Sequence, residues 1–273
     1  MQKVAIITGA SSGLGAEFAR SLSAQGYRLL LIARREEKLQ EVAQSIHTIA
    51  DILPLDLTEV DACKKVVDYL NTHELQPSLL INNAGFGAFD TALEIDINKQ
   101  EAMIDLNVKA LTKLALTIAA LMKEAHGGQI LNVASIAAFC PCPNLAVYGA
   151  TKAYVLAFTE NLAAELHPFG ITVTALCPGP VRTDFWSVAG VDRTQSFDFC
   201  MSEAKDVVRD GLKALQNEKL SVTSGMLNKT LYGVIRCVPR SLSLRVAQAI
   251  MNTVLKKIKE FNEKTCIFES KSA

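Results

Sequence analysis

A chain of 273 residues, 49% hydrophobic and 21% charged, suits one large α/β domain or two small ones and is too apolar for disorder. Twenty-eight Lys and Arg balance 28 Asp and Glu, so no overall field favours nucleic acid as a partner. The balance is uneven, however: residues 221–259 carry Lys229, Arg236, Arg240, Arg245, Lys256, Lys257 and Lys259 and no Asp or Glu.

In chain order, apolar runs at 4–7, 28–33, 52–55, 79–82, 129–134 and 171–177 have the length of strands and end at turn residues. Helical patterns at 13–25, 35–48, 58–73, 97–125 and 148–167 separate them. Alternation of continuous apolar strands with helices predicts a single α/β, doubly wound parallel sheet of Rossmann type. The pattern changes after Thr183: an irregular stretch at 184–202, a helix at 202–216, a short strand near 220–223, then two helical patterns split by Pro239. The expected organisation is a dinucleotide-binding domain over 1–225 with a lid at about 184–216. A helical extension over 226–260 and a tail over 261–273 follow.

The first apolar run enters its strand without a basic leader, which reads as no secretory signal. No uncharged apolar run approaches the roughly 20 residues of a membrane span. The seven cysteines are odd in number and irregularly spaced, which argues against a disulfide framework. Cys140-Pro141-Cys142 lacks the further ligands a zinc site needs. Buried, reduced thiols in a cytoplasmic protein are expected.

Thr8-Gly9-Ala10-Ser11-Ser12-Gly13-Leu14-Gly15 follows the first run and opens a helix. Glycines there permit a tight turn and close approach of a pyrophosphate to the helix N-terminus. The second run ends Ala33-Arg34-Arg35, where a carboxylate would repel a 2′-phosphate and is missing. Arg34 is suited to clasp that phosphate and Arg35 to stack on adenine, so NADP(H) is expected over NAD(H). Ser11 and Ser12 stand where a second basic residue would sharpen the preference, so selectivity is expected to be moderate.

Tyr148 and Lys152 are four apart on a helical pattern and so share a face. A neighbouring ammonium stabilises a phenolate and lowers a pKa that is about 10 in a free phenol. That prepares a tyrosine for acid–base work. Asn107 lies mid-helix, where asparagine is poorly suited without a local role. Asp56 and the run Asn82-Asn83-Ala84-Gly85 fall at strand ends, where open α/β sheets bind ligands.

Thr-Gly-x3-Gly-x-Gly, Asn-Asn-Ala-Gly, Ser135 thirteen residues before Tyr-x3-Lys, and Pro178-Gly179-Pro180-Val181-Arg182-Thr183 stand in this order. Over roughly residues 3–185 the chain resembles the short-chain dehydrogenase/reductase family, its acyl- or ketoacyl-reductase-like branch in particular. The resemblance implies that Tyr148 exchanges a proton with the substrate oxygen, and that Lys152 depresses its pKa and bonds the nicotinamide ribose. It implies that Ser135 polarises the carbonyl and Asn107 holds a relay water. Gly9, Ser11, Ser12, Gly13 and Leu14 would border the phosphates, and Asp56 and Leu57 the adenine. Asn83, Ala84 and Gly85 would pass beneath the cofactor, with Pro178, Gly179, Val181 and Thr183 beside its carboxamide.

Phe86, Phe89, Ile136, Ala137, Ala138, Phe139, Phe185 and Trp186 follow these motifs and are expected to line an apolar substrate pocket. That implies a hydrophobic ketone, aldehyde or secondary alcohol. The basic C-terminal helices fit packing on their own domain or a second subunit, or contact with an anionic membrane, and packing is expected. A membrane-surface lipid or ketoacyl reductase and a non-catalytic NADP sensor stay open as alternatives. The resemblance implies a homodimer or homotetramer paired through 97–125 and 148–167.

Overall fold

Strands covered on both faces keep no polar side, and here the apolar runs do become such strands. The computed structural model describes residues 1–189, 201–225 and 238–269. Within them β1 (Gln2–Thr8), β2 (Leu29–Ala33), β3 (Ala50–Pro54), β4 (Leu75–Asn82), β5 (Gly128–Val133), β6 (Ile171–Cys177) and β7 (Ser221–Thr223) form one sheet. All pairs are parallel, in the order β3-β2-β1-β4-β5-β6-β7. The chain reverses its winding between β1 and β4, and in such sheets the crevice at that switch point binds the ligand.

Successive strand residues point to opposite faces. Ala5 and Ile7 join Phe18, Leu22, Leu31, Leu131, Leu176, Val207 and Leu212 on one face, under α1 (Gly13–Ser23), α2 (Glu36–Gln44) and α8 (Ala204–Gln216). Val4 and Ile6 join Val66, Leu70, Leu114, Ile118, Met122 and Leu162 on the other. That face lies under α3 (Ala62–Thr72), α5 (Leu111–Glu124) and α6 (Ala146–Leu166).

Several boundaries differ from the sequence reading for identifiable reasons. β4 starts at Leu75 despite Pro77, which has no N–H for the ladder. A register shift between Val4 and Ala5 accommodates it. The pattern at 97–125 is not one helix: α4 (Ile97–Ile104) and α5 flank a π-helical turn, Asp105–Ala110, that contains Asn107. α8 is part of the sheet's cover, with Val207, Val208, Leu212 and Leu215 buried, so 204–216 belongs to the body and not to a lid. α7 (Phe185–Val188) is a single short turn at the head of the expected lid, and most of the remainder lies outside the described residues. Of the two C-terminal helices, the first falls largely at 226–237, outside the described residues, and the second is α9 (Arg240–Glu269). Cys177 is buried as expected, whereas Cys63, Cys140 and Cys142 are only half-buried. Among the described residues no helix is long and apolar enough to cross a membrane.

Candidate active site

The loop after β1 is held to the loop after β4 through Thr8. Its Oγ1 accepts the N–H groups of Asn83 (2.9 Å) and Ala84 (3.0 Å), and Asn83 Nδ2 donates to the Thr8 carbonyl at 2.9 Å. This stitching leaves no room for side chains. Gly9 has φ +64°, and a Cβ there would stand 2.9 Å from Asn83 Nδ2; one on Gly15 would collide with the Gly9 carbonyl. α1 begins at Ser12 with no side-chain cap and no acidic residue in its first turn. Its positive end therefore lies open to an anion, and a pyrophosphate fits this cradle. Gly13, at φ +55°, brings the loop against Thr183, 3.2 Å from where its Cβ would be.

At the end of β2, the largely exposed Arg34 reaches Asp56, Nη1 to Oδ2 3.8 Å. Desolvation raises the Asp56 pKa, but hydrogen bonds from Thr58 and the charge of Arg34 outweigh it and hold the carboxyl below its usual range. Arg35 extends the other way and donates to Ser11 Oγ and Ser12 Oγ, both at 3.2 Å. Two hydroxyl acceptors within reach draw its guanidinium over the glycine loop, so it does not stand free as an adenine platform.

Asn107, Ser135, Tyr148 and Lys152 arrive from three elements: the π turn, the end of β5, and one face of α6 that carries both Tyr148 and Lys152. Asn107 is fully buried in the π turn and clamps Phe86, whose N–H donates to Oδ1 (3.1 Å) and whose carbonyl accepts from Nδ2 (2.9 Å). Nδ2 also donates to Thr151 Oγ1 at 3.2 Å, which ties the π turn to α6. π turns recur at functional sites because the extra residue re-aims side chains. Gly85 needs to be glycine, because a Cβ would come within 2.8 Å of Asn107 Oδ1 and 3.5 Å of Lys152 Nζ.

Ser135 begins the 3-10 turn Ile136–Ala138 at the end of β5, where its Oγ accepts from the Ala137 N–H at 3.1 Å. It also lies near enough to Tyr148 to lower the pKa of that phenol. Lys152 donates to the Val133 carbonyl at 2.8 Å and lies 5.7 Å from the centre of the Tyr148 ring. The electrostatics depart from the sequence expectation. Burial pushes Tyr148 up to about 12, only partly opposed by Ser135. Burial also pulls Lys152 down to about 8. The ammonium is too far from the phenol, and too desolvated itself, to reverse the effect of burial in the protein alone.

Around Tyr148 lies an apolar cluster of Phe89, Leu145 and Trp186, against which Cys142, Phe185, Met201, Met251 and Leu255 pack. The Phe185 ring is 5.5 Å from that of Tyr148 and 5.6 Å from that of Trp186. Trp186 is fixed by Nε1 donating to the Val181 carbonyl at 3.1 Å. Phe139 and Ala138 are not in this cluster; the tight turn after Ser135 directs them to Leu111, Val155 and Leu156 instead. Ala137 is buried beneath that turn, while Ile136 and Phe86 stay half-buried beside it. Leu145, Cys142, Met201, Met251 and Leu255 also line the cluster around Tyr148 and are not among the pocket residues expected from the sequence. The last two come from α9, whose Met251 carbonyl accepts from Asn144 Nδ2 at 3.3 Å. Apolar residues four apart on a basic helix signal an inward face, but nothing local says what that face covers.

Comparison with known proteins agrees with this geometry. A family model described as short chain dehydrogenase matches residues 3–193. An uncharacterised oxidoreductase of Staphylococcus epidermidis is 37% identical over 187 residues, 67% of this chain and 79% of that protein. Sulfoacetaldehyde reductase 2 of Chromohalobacter salexigens is 36% identical over 205 residues, 72% of this chain and 80% of that protein. Among solved structures, a short-chain dehydrogenase from Sphingobium yanoikuyae in complex with NADPH has a TM-score of 0.75 at 30% identity. That match covers 88% of this chain and 97% of the other. A 3-ketoacyl-(acyl-carrier-protein) reductase from Brucella melitensis complexed with NADH also has a TM-score of 0.75, at 26% identity. It covers 83% of this chain and 98% of the other.

Proposed function

The chain belongs to the short-chain dehydrogenase family, and from that footing we propose that it reduces a hydrophobic carbonyl to an alcohol with NADPH, Tyr148 serving as the acid. The observation that carries this reading is the grouping of Tyr148 with the Ser135 hydroxyl and the Lys152 ammonium beside an apolar cluster.

The bound nicotinamide supplies the hydride. The loop Gly9–Gly15, with the open end of α1, would hold the phosphates. Asn83 to Gly85 and Val181 to Thr183 border the same crevice, and Arg34 with Asp56 lies at the adenosine end. Arg34 is the group suited to a 2′-phosphate, which supports NADPH over NADH. The relative named for sulfoacetaldehyde reduction acts on an aldehyde, which supports carbonyl chemistry here.

Ser135 and Tyr148 orient and polarise the substrate oxygen. Burial pushes the phenol up to about 12, so it is protonated at neutral pH, the form that serves as donor in carbonyl reduction. As the proton leaves, the Lys152 charge stabilises the phenolate in a site with little water to screen it. The walls of Phe89, Phe185, Trp186, Met251 and Leu255 offer no charge to fix an anionic group, so the substrate class is apolar. Pairing of two copies through α5 and α6 is supported by Leu116 and Tyr154, which are exposed on those helices.

The test is NADPH and NADH oxidation against a panel of aldehydes, ketones and diketones of graded apolar bulk. Turnover that rises with apolar bulk and favours NADPH is expected. No turnover with any carbonyl, while NADPH still binds, would overturn the enzymatic reading.

A further inference from the structure

Cys140 and Cys142 flank Pro141 on the loop between the Ser135 turn and α6, and the chemistry above uses neither thiol. Their Sγ atoms are 3.8 Å apart, and both residues are half-buried and free. Each sulfur is steered by the main chain of the same loop. Cys140 Sγ lies 3.5 Å from the Ile136 carbonyl, and Cys142 Sγ 3.5 Å from the Cys140 carbonyl. A disulfide needs a separation of about 2.05 Å, so closure takes less than ~2 Å of travel.

We propose that Cys140 and Cys142 are a modification site, closed to an intramolecular disulfide by small-molecule disulfides, and that closure displaces Tyr148. The thiols divide the work. The hydrogen bond between them lowers the pKa of Cys140 against the effect of burial, and the same bond raises that of Cys142. Cys140 is therefore the attacking thiolate and Cys142 the resolving thiol. Cys140 Sγ attacks one sulfur of RS–SR; that S–S bond breaks, and RS⁻ leaves and takes up a proton. Cys142 then loses its proton and attacks Cys140 Sγ, expelling the second RS⁻, which is protonated in turn. Two protein thiols are oxidised to one disulfide and RS–SR is reduced to two RSH.

The link to Tyr148 is short. The Cys142 carbonyl accepts the Leu145 N–H at 3.1 Å, and the Leu145 carbonyl accepts the Gly149 N–H at 2.8 Å, in the first turn of α6. Cys142 also packs in the cluster that contains Leu145, Tyr148 and Trp186. At the other end, Cys140 is bonded to Ile136, next to Ser135. Pulling the sulfurs together strains the connection between the two hydroxyls that hold the substrate oxygen.

The part of this proposal that concerns turnover rests on the function proposed above; the bridge itself does not. The test treats the reduced full chain with oxidised glutathione, blocks remaining thiols and digests with trypsin. Cleavage at Lys123 and Lys152 yields a peptide whose only cysteines are Cys140 and Cys142. That peptide is expected to lose two hydrogens, and dithiothreitol to restore them. Trp186 is the single tryptophan and shares the Cys142 cluster, so its emission should change in step. In C140S the bridge and the emission change should both vanish. A peptide that stays a dithiol, carries two separate glutathiones, or closes with no change in emission relative to C140S overturns the proposal. Misplacing reacting groups by about 1 Å can cost ~10²-fold, so turnover should fall at least about tenfold on oxidation and recover on reduction. The ratio of oxidised to reduced turnover in C140S should stay within about twofold of one. Closure without loss of turnover overturns the link to Tyr148. A chain that closes reversibly but reduces no carbonyl refutes the proposed function and leaves the disulfide standing.

Discussion

Lys152 directs its ammonium to the Val133 carbonyl, 2.8 Å away, and stands 5.7 Å from the centre of the Tyr148 ring. It therefore acts on the phenol through space, while the Ser135 hydroxyl is the neighbour that lowers the phenol's pKa. In the proposed reaction this separates the proton donor from the group that stabilises its conjugate base. Tyr148→Phe removes the donor and keeps the ring packed between Phe185 and Leu145. Turnover should fall by about 10²–10⁴-fold, and NADPH affinity, read by fluorescence titration, should stay within about fivefold, since one hydrogen bond is worth roughly 1 kcal/mol. An equal loss in both would mean that Tyr148 holds cofactor more than it moves protons.

A buried ammonium is a cost to the fold. The Lys152 pKa is lowered from 10.5 to about 8, so the native protein disfavours the charged form. Below pH 8 that penalty is fully present. Between about 8 and 10.5 the native side chain is neutral while the unfolded chain still holds its proton, so stability rises with pH there. Lys152→Met removes the charge. It leaves the Val133 carbonyl without its donor, worth about 1 kcal/mol, less than the buried charge costs. The variant should be inactive yet melt at least about 2–4 °C higher than the parent at pH 7, with the gap closing by pH 10. Calorimetry at both pH values checks the sign; a lower melting point at pH 7 would contradict it.

Arg34 is paired with Asp56 at 3.8 Å, yet it is mostly exposed and its carboxylate partner is stabilised by Thr58 independently. It can therefore turn to a 2′-phosphate at little cost. Arg34→Ala should lower kcat/KM with NADPH by about 10–100-fold, the worth of a charge-assisted pair, and change that with NADH little. Arg35→Ala, which removes the bonds to Ser11 and Ser12, should weaken both cofactors together. Steady-state rates with the two cofactors separate these outcomes. An unchanged NADPH preference in Arg34→Ala would locate selectivity elsewhere.

The sheet, the glycine loop and the residues at strand ends were legible because each rests on local pattern. Four-residue apolar runs specify strands, and a Tyr and a Lys four apart specify a shared face. What stayed hidden depends on distance in the chain or on burial. The π turn at Asn107 has no period of its own, and the apolar pattern on either side of it reads as continuous helix. Pro77 concealed the first half of β4 because its compensation lies in β1. The direction of the Tyr148 pKa could not be read from its spacing to Lys152, since it depends on how much protein surrounds the hydroxyl. Phe139 was misplaced because a 3-10 turn sends neighbours in different directions.

The wall that α9 builds leads to the last prediction. Met251 and Leu255 are four apart on one face of that helix and pack against the cluster holding Tyr148, Phe185 and Trp186. The opposite face exposes Leu242, Val246 and Ile250, so the helix is anchored here by its inner residues and by Asn144, which donates to the Met251 carbonyl. Methionine is unbranched and adapts its shape, which suits a wall that must accept an apolar guest. Met251→Ala keeps the main-chain bond to Asn144 and enlarges the cleft by most of a side chain. For a compact carbonyl substrate KM should rise by roughly 4–15-fold, the worth of one or two lost methylene contacts at about 0.8 kcal/mol each. For a substrate bulkier by a comparable group, KM should fall or hold, with kcat for both within about threefold because Ser135 and Tyr148 are untouched. Replacing Leu242 on the outer face should move neither constant. If Met251→Ala and Leu242→Ala behave alike across the substrate series, α9 is packing alone and the cleft ends at Phe185 and Trp186.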